Sequence, residues 1–509
     1  MEPARAAPQI VNGIVSGGRH LDREALALRS RKAGALLRAL GVGSGDRIAL
    51  LMRNDIAWFE ATQGAALLGA STVPLNWHLT APELGWILED SDARALIVHA
   101  DLLSEALLEA CVGREVAVVE TPPEISHLLG TPATSRQASP RLRDWGADLE
   151  RQEPLAGETA LVQPLFYTSG TTGRPKGVLR QRISAEAALS VGRRTMLAFG
   201  LDGEGVRAVM TGPLYHSAPN SYAMRVAAIG GLLLLQPRFD AAALLQLIET
   251  WRITHLHMVP TMFVRLLALP EDIRLRHDLS SLRFVCHGSA PCPLEVKQRM
   301  IDWWGPVIHE YYAMTETGII TVSDSPGWLA HPGSVGRAAP GVQIRITDAD
   351  GSPCPTGSPG EIQVSSETTP YFAYHRAEQK TAEAREGDFV RTGDIGFLDA
   401  DGYLTISDRK SDMVISGGVN IYPAEVEKDL IALPGVRDCA VFGIPDAEYG
   451  ERLVAVVESA GPLDGAGLAA ALAERIARYK IPREFRCVER LPREDSGKIK
   501  KRLLREQWA

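Results

Sequence analysis

Twelve residues, Tyr167-Thr-Ser-Gly-Thr-Thr-Gly-Arg-Pro-Lys-Gly-Val178, have the composition of a loop that can hold a polyphosphate. Glycine lets backbone N–H groups converge on an anion, Thr and Ser add hydroxyl donors, and Lys176, braced by the proline before it, adds a point charge. The stretch follows an apolar run, Leu161-Val-Gln-Pro-Leu-Phe166, and so should leave a strand as an exposed loop. The P-loop of nucleotide hydrolases needs Gly-Lys-Ser/Thr at the head of a helix. Here the order is Lys176-Gly177-Val178, which lacks the hydroxyl that such loops offer to magnesium. Gly- and Ser-rich loops more often simply turn, so the residues that accompany this one decide its meaning.

Further clusters follow it in order: Tyr312-Ala-Met-Thr-Glu316, Thr392-Gly393-Asp394, Asp408-Arg-Lys-Ser-Asp412 and Pro492-Arg-Glu-Asp-Ser-Gly-Lys-Ile-Lys500. Each alone has a bland explanation. Thr-Glu is a common helix cap, Gly-Asp a common turn, Arg409 a surface charge, and Lys498 one cation beside Lys500, Lys501 and Arg502. Their order and spacing behind the phosphate loop resemble the signature of the adenylate-forming enzymes. That superfamily contains acyl-CoA synthetases, aryl-CoA ligases, peptide-synthetase adenylation domains and beetle luciferases; the bacterial acid–CoA ligases are the most similar branch. Two departures stand out: Ala313 replaces the usual glycine, and Ser411 fills a pivot position that is often Asp or Lys.

The resemblance implies a role for each residue. Thr168, Ser169, Gly170, Thr171, Thr172, Gly173 and Lys176 would hold the phosphates of ATP. Gly288, Ser289, Ala290, Tyr311 and Tyr312 would bind ATP or AMP, with Tyr312 against the adenine and Gly288 and Ser289 also bordering the acyl pocket; Asp394 would hold the ribose and Arg409 the ribose and phosphate. Thr315 would bond the α-phosphate, Glu316 would hold Mg²⁺, and Lys498 would bridge the carboxylate and the α-phosphate. His216 takes the gate position beside the reacting carboxylate, with Asn220, His257 and Met314 as further walls of the acyl pocket. Ser416, Gly417 and Gly418 would line the tunnel for the thiol. The implied reaction has two steps: a carboxylate attacks the α-phosphorus of ATP with loss of pyrophosphate, then the CoA thiol displaces AMP. His257, Asn220 and Ser221 add polarity that favours an aromatic, cyclic or medium-chain acid over a long alkyl chain.

The elements that must position these residues can be read from the pattern. Ala33, Leu36, Leu37 and Leu40 recur at helical spacing between Asp22 and Gly41. Apolar runs at 46–51, 71–75, 95–98, 116–119, 208–211, 255–259, 283–286 and 307–309 alternate with helical segments, as in parallel sheets covered on both faces. Several of these runs end in motif residues, where α/β sheets place their ligands. Residues 124–144 read as a surface connection, 333–406 as a mostly antiparallel, barrel-like region, and the last hundred as a small α+β unit. The expected architecture is therefore α/β. Residues 1–407 would form two doubly wound sheets plus a distorted barrel, 408–412 a hinge at Ser411, and 413–509 a mobile lid with the catalytic lysine.

Composition narrows the function classes. A net charge of −8 argues against general nucleic-acid binding. The N-terminus has no basic, apolar signal-peptide pattern, and the longest apolar run, near 230–235, is too short to span a bilayer, so a cytoplasmic protein is expected. Cys111, Cys286, Cys292, Cys354, Cys439 and Cys487 lack zinc or redox spacing and are expected as reduced thiols. Rival readings are an adenylating enzyme with a carrier-protein thiol, an amine or another acceptor, one activating a small inorganic acid such as nitrite, and a non-catalytic nucleotide-binding homologue. The oligomeric state is left open, a homodimer included.

Overall fold

The computed structural model describes residues 10, 12–130, 142–168, 175–180, 183–367, 372–409, 412–416, 419–446, 449–494 and 497–508. Two largely parallel sheets dominate the first two-thirds of the chain. The smaller has the strand order Ser71–Pro74, Arg47–Leu51, Ala93–His99, Glu115–Val119, Leu142–Asp144, all parallel. The larger has nine strands, six of them parallel at its centre: Ile308–Met314, Phe284–His287, His255–Met258, Arg207–Met210, Leu232–Leu235 and Gly13–Ser16. Antiparallel strands close both of its edges, so this sheet is mixed rather than purely parallel.

Strand periodicity explains the layering. Ile48 and Leu50 point into the core shared by the two sheets, while Ala49 and Leu51 point to the opposite face, under helix Ala81–Asp90. Val209 and Leu256 likewise face a third core beneath helices Ala241–Trp251, Pro260–Leu267 and Leu294–Trp304. Between the sheets runs helix Arg23–Ala39, which starts where Asp22 accepts the amide of Ala25 at 2.8 Å and stops before Gly41, at φ +79°. Its expected core stripe, Ala33, Leu36, Leu37 and Leu40, is buried.

One stretch differs from expectation. The connection at 124–144 is not only a surface loop: helix Pro123–Leu129 opens it, and Leu142–Asp144 adds the edge strand of the smaller sheet. The Pro/Ser/Arg-rich composition masked both because the strand is only three residues long.

The expected barrel-like region forms a five-stranded antiparallel sheet, built on Val342–Thr347, Gly360–Ser366 and Phe389–Leu398. Beside it lies a three-stranded antiparallel sheet of Phe166–Thr168, Lys176–Arg180 and Phe372–Tyr374. The final unit surrounds another five-stranded sheet, centred on Val436–Asp446 and Gly450–Ser459. Its apolar clusters begin at Val414 and share no residue with the cluster that ends at Leu404. All six cysteines are free, and no helix among the described residues is long and apolar enough to cross a membrane.

Candidate active site

Four neighbouring parallel strands aim the candidate residues at one edge of the nine-stranded sheet. Arg207–Met210 leads into the turn before His216, His255–Met258 into Pro260, Phe284–His287 into Gly288, and Ile308–Met314 into Thr315. Because the strands are parallel and adjacent, their carboxyl ends lie side by side, which is where an α/β sheet places its ligand.

The Tyr312–Glu316 motif is not a helix cap. Tyr312, Ala313 and Met314 end one strand, 315–317 form a turn, and Gly318–Ser323 returns antiparallel. A register shift between Tyr312 and Ala313 breaks the regular alternation of the ladder. The phenol of Tyr312 donates to Asp394 Oδ2 at 2.5 Å. Asp394 is itself fixed, its amide bonding Thr392 Oγ1 at 3.1 Å, and it lies directly across the ladder from Arg409. The expected adenine and ribose residues are thus held in one hydrogen-bonded unit. Met314 is half-buried against the apolar cluster of the antiparallel sheet.

Thr315 is held from two sides. Its carbonyl accepts from Arg180 Nε at 3.0 Å and Nη2 at 2.5 Å, and its hydroxyl lies 3.3 Å from Ser217 Oγ. Burial pushes the Arg180 guanidinium down to about 10, against the opposing pull of Glu316. Glu316 accepts the phenol of Tyr374 at Oε1, 3.0 Å away, and Oε2 has no hydrogen bond among the described residues. Burial, reinforced by Glu316, raises the Tyr374 phenol far above its ordinary range, so it stays protonated as a donor. Over the same ring, 5.0 Å from its centre, sits the ammonium of Lys176.

Lys176 is placed by a hairpin, in which Thr168 pairs with Lys176 and Phe166 with Val178. The expected phosphate-loop residues Ser169, Gly170, Thr171, Thr172 and Gly173 lie outside the described residues, as do Ser411, Gly417, Gly418 and the Arg409 side chain. Ser416 ends the strand Val414–Ser416, opposite Gly450.

Gly288 and Ser289 form a tight corner over Tyr311. A Cβ at Gly288 would sit 2.7 Å from the Tyr311 carbonyl oxygen and 2.8 Å from its ring, so only glycine permits this approach. Ser289 adopts φ +70°, a conformation that strains a non-glycine residue by ~1 kcal/mol or more. Ala290 follows, half-buried. Tyr311 itself is buried and bonds His257 Nε2 at 2.7 Å. His257 is packed among the rings of Phe199, Tyr222 and Tyr311, and burial lowers it to about 4, so it is neutral. Its place is beneath the Gly288–Ser289 corner.

His216 caps helix Ser217–Ala228, half-buried, with its ring 4.4 Å from that of Tyr215. The amide of Asn220 donates to the Leu214 carbonyl at 3.0 Å, which ties the helix to the turn before it. That turn is further fixed by buried Asn54 from the other sheet, which donates to Gly212 O and accepts from Leu214 N, both at 2.9 Å.

Lys498 is exposed on a hairpin whose backbone bonds join Glu494 to Lys498 at 2.8 Å and Gly497 to Glu494 at 2.9 Å. Gly497, at φ +84°, is seated on Thr261: a Cβ there would lie 2.4 Å from Thr261 Oγ1. Thr261 stands at the carboxyl end of strand His255–Met258, so the lysine loop reaches the same sheet edge as the other motifs.

Sequence reasoning missed Asn54, Arg180 and Tyr374. None lies in a motif. Only the ends of the short apolar runs Lys176–Arg180 and Phe372–Tyr374 carried any signal, and pairing those two runs required tertiary structure.

A family model described as AMP-binding enzyme matches residues 3–369, and one described as AMP-binding enzyme C-terminal domain matches 425–498. The chain is 35% identical to a feruloyl-CoA synthase from an Amycolatopsis species, over 99% of this chain and 97% of that one. It is 34% identical to the long-chain-fatty-acid–CoA ligase FadD13 of Mycobacterium tuberculosis, over 95% and 92%. Among solved structures, the amide bond synthetase McbA from Marinactinospora thermotolerans superposes with a TM-score of 0.83 at 26% identity, covering 98% of this chain and 97% of that one.

Proposed function

The chain belongs to the AMP-binding enzyme family, the adenylate-forming enzymes, and from that premise we propose that it is an ATP-dependent acid–CoA ligase that activates an aromatic, cyclic or medium-chain acid. The observation that carries this reading is the convergence of Tyr312–Asp394, Thr315, Glu316 and Lys176 beside the sheet edge where the Lys498 loop is seated. In the first step an oxygen of the acid attacks the α-phosphorus, a new P–O bond forms, and the bond to pyrophosphate breaks. Two anions meet, so the step needs positive charge aimed at the transition state. Lys498 supplies it, while Lys176 steadies the leaving pyrophosphate. The Thr315 hydroxyl orients the α-phosphate. In the second step the sulfur of CoA attacks the acyl carbonyl, AMP leaves, and the thiol proton passes to solvent.

Glu316 also suits a metal. Among the described residues no group of three or more His, Cys, Asp or Glu could hold an ion alone. A single hard carboxylate with one oxygen left over fits Mg²⁺, which takes its other ligands from phosphates and water. When bound, the ion offsets phosphate charge.

Residues 1–407 would hold ATP and acid, 408–412 would be the hinge, and 413–509 the lid. Separate apolar clusters on the two sides support this division. So does the anchoring of the linker carboxylates by the lid: Asp408 accepts the Ala424 amide at 2.9 Å, and Asp412 pairs with Arg505 at 3.2 Å.

The test is pyrophosphate release across a panel of acids, with and without CoA. Acid-dependent pyrophosphate with CoA-dependent AMP supports the reading. Pyrophosphate without CoA-dependent AMP would favour a different acceptor, an amine first, given the likeness to an amide bond synthetase.

A further inference from the structure

Three arginines gather behind Thr315, and their charges are poorly matched by acids. Arg180 spends Nε and Nη2 on the Thr315 carbonyl, and the positive charges of Arg225 and Arg194 both oppose its own. Arg194 is buried and faces Glu367 at 3.2 Å through Nη1, while its Nε and Nη2 have no hydrogen-bond partner among the described residues. Among the described residues Arg225 hydrogen-bonds only Ser221, through Nη1 to Oγ at 2.8 Å and to the carbonyl at 3.4 Å. Neither Arg180 nor Arg225 forms an ion pair among the described residues. Glu316 alone offsets Arg180, and it also accepts from Tyr374.

The placement of Arg225 gives this excess charge a direction. Ser217, Ser221 and Arg225 stand four residues apart on one face of helix Ser217–Ala228. The stripe begins at Thr315, which Ser217 touches, and Arg225 folds back toward Ser221. Its guanidinium therefore lies about one helical turn, ~5 Å, beyond Ser217 along the axis. Half-buried guanidinium groups without carboxylates are costly to keep and are suited to bidentate capture of an anion.

Resting on the ligase reading above, we infer that the acid activated here carries a second anionic group, a carboxylate or sulfonate, bound between Arg225 and Arg180. The first carboxylate would lie at Thr315 and the second along the Ser217–Ser221–Arg225 stripe. This deepens the substrate class from acids in general to short dianionic acids.

The experiment is pyrophosphate release with matched pairs of acids, hexanoate against adipate and 3-phenylpropanoate against 3-(2-carboxyphenyl)propanoate, for the wild type, Arg225→Gln and Arg225→Lys. The wild type should favour the dianion of at least one pair by tenfold or more in kcat/KM. In Arg225→Gln that ratio should fall at least tenfold, through KM for the acid rather than for ATP, and Arg225→Lys should restore part of it. Preference for the monoacids in both pairs would overturn the inference while leaving the ligase reading intact. So would a rise in KM for ATP alone, which would assign the cluster to nucleotide phosphates. Absence of pyrophosphate with every acid would overturn the ligase reading, and the inference with it. Folding of the variants is checked by urea unfolding, and a preference unchanged in a folded Arg225→Gln would also refute the proposal.

Discussion

Tyr374 donates its phenol to Glu316 at 3.0 Å while the ammonium of Lys176 sits over the same ring, 5.0 Å from its centre. One side chain outside every motif thus couples Lys176 to the carboxylate of the turn. A hydrogen bond to a charged group contributes about 1.5–3 kcal/mol. Tyr374→Phe should keep the ring over Lys176, release Glu316, and lower kcat/KM for pyrophosphate release by roughly tenfold. The Mg²⁺ concentration needed for half-maximal rate should rise. A Mg²⁺ titration of the initial rate checks this; an unchanged curve would remove Tyr374 from the site.

Tyr312 and Asp394 form the second coupled pair, at 2.5 Å. If the pair positions the ribose and adenine, Tyr312→Phe should raise KM for ATP by about tenfold, the equivalent of ~1.4 kcal/mol, with little change in kcat. Steady-state kinetics with varied ATP separate the two constants. A fall in kcat at constant KM would point to a role in the transition state instead.

Asn54 joins the two sheets through Gly212 and Leu214. Asn54→Ala would leave a buried carbonyl and a buried amide without partners and should destabilise the protein by about 2–4 kcal/mol. The same change loosens the turn that carries His216. Urea unfolding gives the first effect, and the acid KM the second.

His257 sets a pH dependence. Burial lowers it to about 4 from an ordinary value near 6.5, and His309 is lowered to a similar value by the same cause. Both are neutral in the fold and become protonated more easily when unfolded. Their stabilising effect is therefore complete above about pH 6.5, is lost as pH falls from there toward 4, and changes no further below. His257 alone should account for roughly 3 kcal/mol over that window. His257→Gln keeps a polar partner for Tyr311 and should flatten part of the slope between pH 7 and 4.5. A slope identical to the wild type would exclude His257 as a source.

Much of this site was legible because its residues sit in strings with mechanical meaning. Lys176, Thr315, Glu316, Asp394 and Lys498 could be named as candidates because their strings resemble the family's motifs, and the sheets around them could be read from continuous apolar runs such as Leu232–Leu235 and Arg47–Leu51. Tyr374 and Arg180 could not. They meet the site only because Phe372–Tyr374 pairs with Lys176–Arg180, two runs separated by almost two hundred residues of chain. Taken alone the Thr-Glu pair has the composition of a helix cap, and only the antiparallel return of Gly318–Ser323 makes it a hairpin turn. His257 looked like a pocket residue by position, yet its ring is packed into the aromatic cluster below the Gly288 corner. No local pattern distinguishes those two fates.

The central claim is that Lys498, carried to the sheet edge by the seat of Gly497 on Thr261, acts in adenylation. It is tested most directly by measuring pyrophosphate release and, separately, thioester formation from supplied acyl-AMP, in the wild type and Lys498→Ala. The expected result is a loss of pyrophosphate release of at least a hundredfold, about 2.7 kcal/mol or more, with ATP binding and thioester formation largely retained. Pyrophosphate release at the wild-type rate in Lys498→Ala would contradict the account.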